Sequence, residues 1–387
     1  MMTIKTKTRM TAARLKAATT LGGAVLALTL AGLGALPASA GTELRLASAF
    51  GPNHPSAPGY DKLISELERL SDGRYSGQNF ASGLVAPNEM LAALETGIVD
   101  VGSVLMAYYP AEFVESGLPG EMGLLNTSLM SSSGATTEYI ATCPECLAEF
   151  TALREVFTGA TTTSAYQILT KAPISSLADL KGMPLRTGSA AYSRWAEAIG
   201  ATAVQMPAPE VFEALNQGVV EGHINSAGDL MAYQLYDIIH QVTKIDFGTF
   251  NGCSGASLRK EVWDGLSPED RKIFMQAFNT GMTEILVQYQ AKVDESIAEG
   301  QEKGIAFVDA PEDLKAANAA FLKADLAGME ERLTKKGITH AAEKIARFEA
   351  LTEKWEKLTD GITDIAEYND LVNREVWSKI DLASYPN

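Results

Sequence analysis

From Glu43 to Phe50 polar and apolar positions alternate and then run apolar, the pattern of a β-strand. Gly51-Pro52-Asn53-His54-Pro55 ends it as a loop. Tyr60, Leu63, Ile64, Leu67 and Leu70 then recur at intervals of three and four, on one face of a helix that Ser71-Asp72-Gly73 stops. Residues 74–81 predict a second strand, 88–96 a helix stopped at Gly97, and 98–104 a third strand. That alternation implies parallel strands joined by helical crossovers, since parallel neighbours need a long connection.

The same order returns further on. Strands are predicted over 165–170, 183–186, 203–206 and 222–225, with helices over 191–199 and 209–216 that stop at Gly200 and near Gly218. From Ser267 the pattern becomes helical. Ser267-Pro268-Glu269-Asp270 supplies an N-cap, a first-turn proline and two early acids. The helix runs to about Gly300, a span of about 50 Å at 1.5 Å per residue, enough to brace two lobes. Further helices with charged faces are predicted over 311–337 and 340–378. The expected fold class is α/β with two lobes, each a mainly parallel sheet flanked by helices, a long helix bridging them, and an extended helical C-terminus. Lobe I is assigned to 41–165 plus 252–285, and lobe II to 166–251 plus 286–387.

Residues 1–40 fall outside that pattern. Lys5, Lys7, Arg9, Arg14 and Lys16 form a basic start, Leu21 to Leu36 is an apolar run, and Pro37-Ala38-Ser39-Ala40 offers a small-residue cleavage site. This is the order of a secretory signal peptide, and the run is short and glycine-broken for a membrane span. Export is therefore expected. The chain has 32 basic and 48 acidic side chains; without the leader's five basic ones, 27 remain against 48, a formal charge of −21. Such a charge disfavours nucleic acid and anionic membranes but leaves room for a local basic site. The roughly 347 residues that follow the leader exceed one core of usual size, which again favours two lobes.

No catalytic constellation stands out: there is no G-x-S-x-G, no H-E-x-x-H and no phosphate loop, and the histidines at 54, 223, 240 and 340 are scattered. No enzyme activity, cofactor or metal is expected. The sharpest local motif is Thr142-Cys143-Pro144-Glu145-Cys146. In an exported protein the Cys143–Cys146 pair reads first as a short disulfide. A reduced idle pair, a redox role or a metal site are the alternatives, with Glu145 opposing a stabilised thiolate and no further zinc ligands nearby. Cys253 is then an unpaired, small apolar residue.

Lys181-Gly182-Met183-Pro184-Leu185-Arg186-Thr187-Gly188 sets an arginine at the end of a predicted strand, where ligands of open α/β sheets bind. Its planar fork matches a carboxylate; a surface ion pair is the other reading. Asn225, also at a strand end, either donates to a ligand or caps the following helix. Phe50, Tyr108, Tyr109, Phe247 and Phe250 lie near strand ends and either wall a pocket or fill the core, where Trp195 is expected too.

Taken together, the chain resembles the extracytoplasmic solute receptors of tripartite ATP-independent periplasmic (TRAP) transporters, the DctP type, over about residues 43–310. The likeness rests on Leu44-Arg45-Leu46-Ala47-Ser48, Asn53-His54-Pro55, the 66–74 and 89–100 segments, Leu177 to Arg186, and Glu210 to Gly222. The resemblance implies a two-lobe periplasmic binding protein that closes on a small organic acid and delivers it to TRAP membrane subunits driven by an ion gradient. It implies that Arg186 makes a two-pronged salt bridge to the ligand carboxylate and that Asn225 helps hold it. The candidate ligand set is Arg186, Asn225, Phe50, Tyr108, Tyr109, Gln167, Ser189, Ala208, Thr249 and Phe250. Where sialic-acid receptors carry charged groups in the first lobe, this chain has Val104-Leu105-Met106 and Tyr108-Tyr109, which suits a smaller monocarboxylate or a compact zwitterion. A binding protein for an ATP-driven transporter or a sensor would share this pocket logic, and an exported enzyme is the remaining alternative. The final helices leave both a monomer and a dimer open.

Overall fold

The computed structural model describes residues 41–48, 50–81, 84–125 and 128–386. The leader predicted over 1–40 lies outside the described residues. Twelve strands form two six-stranded sheets. The strands are β1 (Thr42–Ala47), β2 (Tyr75–Asn79), β3 (Val101–Leu105), β4 (Glu155–Val156), β5 (Ala160–Thr161), β6 (Gln167–Thr170), β7 (Pro184–Thr187), β8 (Thr202–Gln205), β9 (Gly222–Asn225), β10 (Gln241–Lys244), β11 (Cys253–Arg259) and β12 (Ala306–Asp309). The helices are α1 (Ser56–Leu70), α2 (Met90–Glu95), α3 (Leu118–Glu121), α4 (Leu129–Ala141), α5 (Pro144–Ala152), α6 (Ala190–Ala198), α7 (Val211–Asn216), α8 (Asp229–Ala232), α9 (Lys260–Asp264), α10 (Pro268–Glu302), α11 (Glu312–Ala327), α12 (Met329–Lys336), α13 (Ala341–Thr359) and α14 (Ile365–Glu375).

The first sheet has the order β2-β1-β3-β11-β4, with β5 also on β11; the second has the order β12-β10-β6-β9-β7-β8. Strands joined by the predicted helical crossovers pair in parallel: β1 with β2 and β3, and β7 with β8 and β9. Both sheets are nonetheless mixed. β11 runs antiparallel to β3 and β4 in the first, while β6 lies antiparallel between β9 and β10 in the second. These pairings join strands far apart in sequence, so no local hydrophobic period encodes their direction.

The long helix begins as its sequence dictates. Ser267 caps α10 by accepting from the Asp270 N–H at 3.1 Å, and Pro268 occupies the first turn. Phe274, Phe278, Met282 and Ile285 on its first half enter the core under the first sheet. Its second half meets the other lobe: Ser296 donates to the Gly228 carbonyl at 3.3 Å, and a Cβ at Gly300 would meet the Phe307 ring at 3.0 Å. α10 thus braces both sheets. It also lies tightly on α1, since a Cβ at Gly281 would sit 2.6 Å from Leu63 and 2.8 Å from the Gly59 carbonyl.

Residues from α12 onward, assigned above with the second lobe, bury their apolar faces in the first core through Leu333, Phe348, Trp355, Tyr368 and Trp377. Two features draw them there. A Cβ at Gly134 on α4 would fall 2.1 Å from the Trp355 ring, so the glycine makes the indole's seat, and Trp355 Nε1 donates to Glu138 at 2.7 Å. The predicted 311–337 and 340–378 helices are each broken once, after Ala327 and after Thr359, with Gly361 at a φ of 76°. Cys143 and Cys146 form a disulfide at the start of α5. Among the described residues no helix is long and apolar enough to cross a membrane.

Candidate functional site

Arg186 stands next to last on β7, paired in register with Val204 on β8 and His223 on β9. The side chain is only 1% exposed. Nε and Nη2 donate to the Met206 carbonyl at 2.9 and 2.7 Å, and Nη2 also donates to the Tyr108 phenol oxygen at 3.2 Å. Nη1 is buried without a partner. Among the described residues no carboxylate forms an ion pair with it, so the surface ion-pair reading fails. A Cβ at residue 188 would lie 3.4 Å from Nη1, so Gly188 keeps the space before the guanidinium open. A buried cation without a directly paired acid is costly, and its free donor is a ready-made place for an anion.

Tyr108 ends the 3-10 turn that follows β3 and reaches across from the first sheet. Its phenol oxygen accepts from Arg186 and also from the Ala208 N–H at 3.2 Å. With both lone pairs engaged, its own O–H is free to donate. Asn225, at the end of β9, accepts through Oδ1 from the Ser226 N–H at 2.8 Å. That bond fixes the amide, while Nδ2 has no partner among the described residues. Asn225 does not cap the following helix, whose N-cap is Gly228 and carries no side-chain cap hydrogen bond.

Arg186, Tyr108, Asn225, Ala208, Phe50 and Phe250 line one cavity of about 40 Å³ between the two sheets. The other four expected residues lie elsewhere. Tyr109 packs on the first core and donates to the Pro87 carbonyl at 2.8 Å, and burial pushes its pKa up to about 12. Thr249 bonds to Ser132 and Asn251 at 3.2 and 2.9 Å. Ser189 lines a separate cavity of about 120 Å³. Gln167 is paired with Asn225 on β6 but does not line the cavity. Phe247 and Trp195 pack edge to face at 4.3 Å in the second core.

The cavity also takes in His54, Tyr166, Asp229, Tyr233, Cys253 and Tyr289. Cys253 is free; it packs against the second core and also lines this space, with Sγ 3.4 Å from the Ser103 hydroxyl. His54 stacks on Phe50 at 4.0 Å, with Nδ1 2.8 Å from the Ser56 hydroxyl and Nε2 3.2 Å from the Tyr289 hydroxyl. Burial drives its pKa down to about 3, so it presents a neutral ring. Behind Arg186, His223 Nε2 lies 2.6 Å from Asp229 Oδ2. Burial lowers the His223 pKa although Asp229 opposes the shift, and its buried Nδ1 lacks a partner, as suits a neutral ring donating through Nε2. His54 sits in the loop after β1, a strand-end position the sequence marks. Tyr289 sits in mid-helix on α10, and no local pattern distinguishes it from a core tyrosine. Among the described residues no group of His, Cys, Asp and Glu is placed to hold a metal ion.

Two sheets braced by one long helix, with a buried arginine between them, define a two-lobe solute-binding protein. Residues 46–331 match the bacterial extracellular solute-binding protein family 7 (DctP), and the chain belongs to that family. The ectoine/5-hydroxyectoine-binding periplasmic protein UehA of Ruegeria pomeroyi is 26% identical over 131 residues, which are 33% of this chain and 38% of that relative's length. The fold is similar to a TRAP periplasmic solute-binding protein of Bordetella bronchiseptica with bound (R)- and (S)-mandelate, at a TM-score of 0.71 and 21% identity over 81% of this chain and 99% of that one. It is similar also to a Bordetella pertussis extracytoplasmic solute receptor binding pyroglutamic acid, at a TM-score of 0.68 and 20% identity over 80% of this chain and 99% of that one.

Proposed function

We propose that this protein is an exported receptor whose lobes close on a small organic carboxylate, held by Arg186 with Asn225 and Tyr108, and that it hands this ligand to the membrane subunits of a TRAP transporter. The observation that carries the reading is the buried Arg186 guanidinium, whose Nη1 has neither acceptor nor acid beside it. A carboxylate there would receive Nη1 directly, with the Asn225 amide and the Tyr108 hydroxyl as further donors lining the same cavity. Closure would shut out water and so strengthen the pairing. The ligand would favour the closed state only by binding it better than the open one. The small acids bound by the two Bordetella receptors, each with one carboxylate, support a ligand of this size. The basic and apolar leader over 1–40 supports a periplasmic location.

The test is a thermal-shift screen of the purified protein against small organic acids, with Arg186→Ala in parallel. A true ligand at a hundred times its dissociation constant adds about 2.7 kcal/mol to the wild type and nothing to the variant. Equal shifts in both proteins would remove Arg186 from the account. Delivery is tested by uptake through the membrane subunits, which should require this receptor and an ion gradient.

A further inference from the structure

The cavity holds a second fixed charge that a plain carboxylate ligand leaves unused. Asp229, at the start of α8, is buried and lines the cavity with Arg186. The two do not pair: Arg186 is anchored on the Met206 carbonyl, and Asp229 gives Oδ2 to His223 at 2.6 Å. Among the described residues no donor reaches Asp229 Oδ1. We infer that the ligand is a compact zwitterion, its carboxylate on Arg186 and its cationic nitrogen directed at Asp229 between tyrosine rings. This rests on the reading of Arg186 as the carboxylate anchor.

Three observations favour it. A monocarboxylate lacking a cation would be enclosed with an uncompensated carboxylate, and like charges in a dry site repel strongly. The groups behind and beside Asp229 do not cancel its charge, since burial keeps both His223 and His54 neutral. Tyr166, Tyr233 and Tyr289 line the same cavity, and aromatic faces attract cations.

The experiment compares matched pairs by calorimetry: L-proline against cyclopentanecarboxylate, and glycine betaine against 3,3-dimethylbutanoate. Within each pair the shape is kept and only the cation is lost. In the wild type at least one zwitterion should bind about tenfold or more tighter than its isostere, a difference of the size a desolvated cation contact supplies. Asp229→Asn keeps an acceptor toward His223 and should erase that preference; its thermal melt checks that the fold is retained. Arg186→Met should lose all four compounds. Isosteres that bind as well as the zwitterions, a preference untouched by Asp229→Asn, or no binding by either zwitterion would overturn the zwitterion class. Binding that survives Arg186→Met would instead overturn the carboxylate anchor itself.

Discussion

The Tyr108 phenol accepts a 3.2 Å hydrogen bond from Arg186 Nη2, joining the turn after a strand of the first sheet to a strand of the second at the wall of the cavity. A second bond from the Ala208 N–H, also at 3.2 Å, leaves the phenol's own proton for a ligand. Tyr108→Phe should therefore weaken binding about tenfold, the worth of one hydrogen bond to a charged group. Calorimetry on the variant checks this, and unchanged affinity would mean the hydroxyl serves only to close the lobes.

Arg186→Met separates stability from binding. The substitution removes a buried, unneutralised charge but strands the Met206 carbonyl, two effects of opposite sign and of about 1–3 kcal/mol each. The ligand-free melting temperature should stay close to that of the wild type while the ligand-induced shift disappears. A collapse of the ligand-free fold would assign the side chain a structural role.

Glu155 on β4 predicts how stability changes with pH. It is fully buried, neither carboxyl oxygen has a hydrogen-bond partner, and burial pushes its pKa up to about 8. In the unfolded chain it ionises near about 4.3. Between these values the native state keeps a proton that the unfolded state has released, so stability falls as pH rises through the window and levels off above it. Glu155→Gln removes this loss. Its melting temperature relative to the wild type should be several degrees higher at pH 8 than at pH 5, and the opposite trend would show that Glu155 is ionised in the fold.

Gly134 tests the seat of the C-terminal helices. A helix-interior Gly→Ala change ordinarily gains about 0.5–1 kcal/mol. Here the new methyl would fall 2.1 Å from the Trp355 ring. Gly134→Ala should cost about 1–3 kcal/mol or more, and Trp355→Ala about 3–5 kcal/mol, in denaturant unfolding. Ligand affinity should hold in both, since neither residue lines the cavity.

The crossover strands were legible in the sequence because each carries its own period and a stop. Arg186 and Asn225 were legible because they end such strands. The antiparallel runs of β6 and β11 were not, since their partners are set by pairing between distant segments. The helices predicted over 311–337 and 340–378 carry no signal for which core Phe348, Trp355 and Tyr368 enter. Tyr109 and Ser189 adjoin Tyr108 and Gly188 in sequence, but their side chains turn elsewhere. Asp229 and Tyr289 carried no local signal, because only the closing of two sheets around α10 brings them to the same space.

The most direct measurement is a crystal structure of the protein with a bound small carboxylate. A carboxylate oxygen about 2.7–2.9 Å from Arg186 Nη1, with the molecule enclosed between the two sheets, is the predicted result. A ligand seated elsewhere, or one whose carboxylate points away from Arg186, would contradict it.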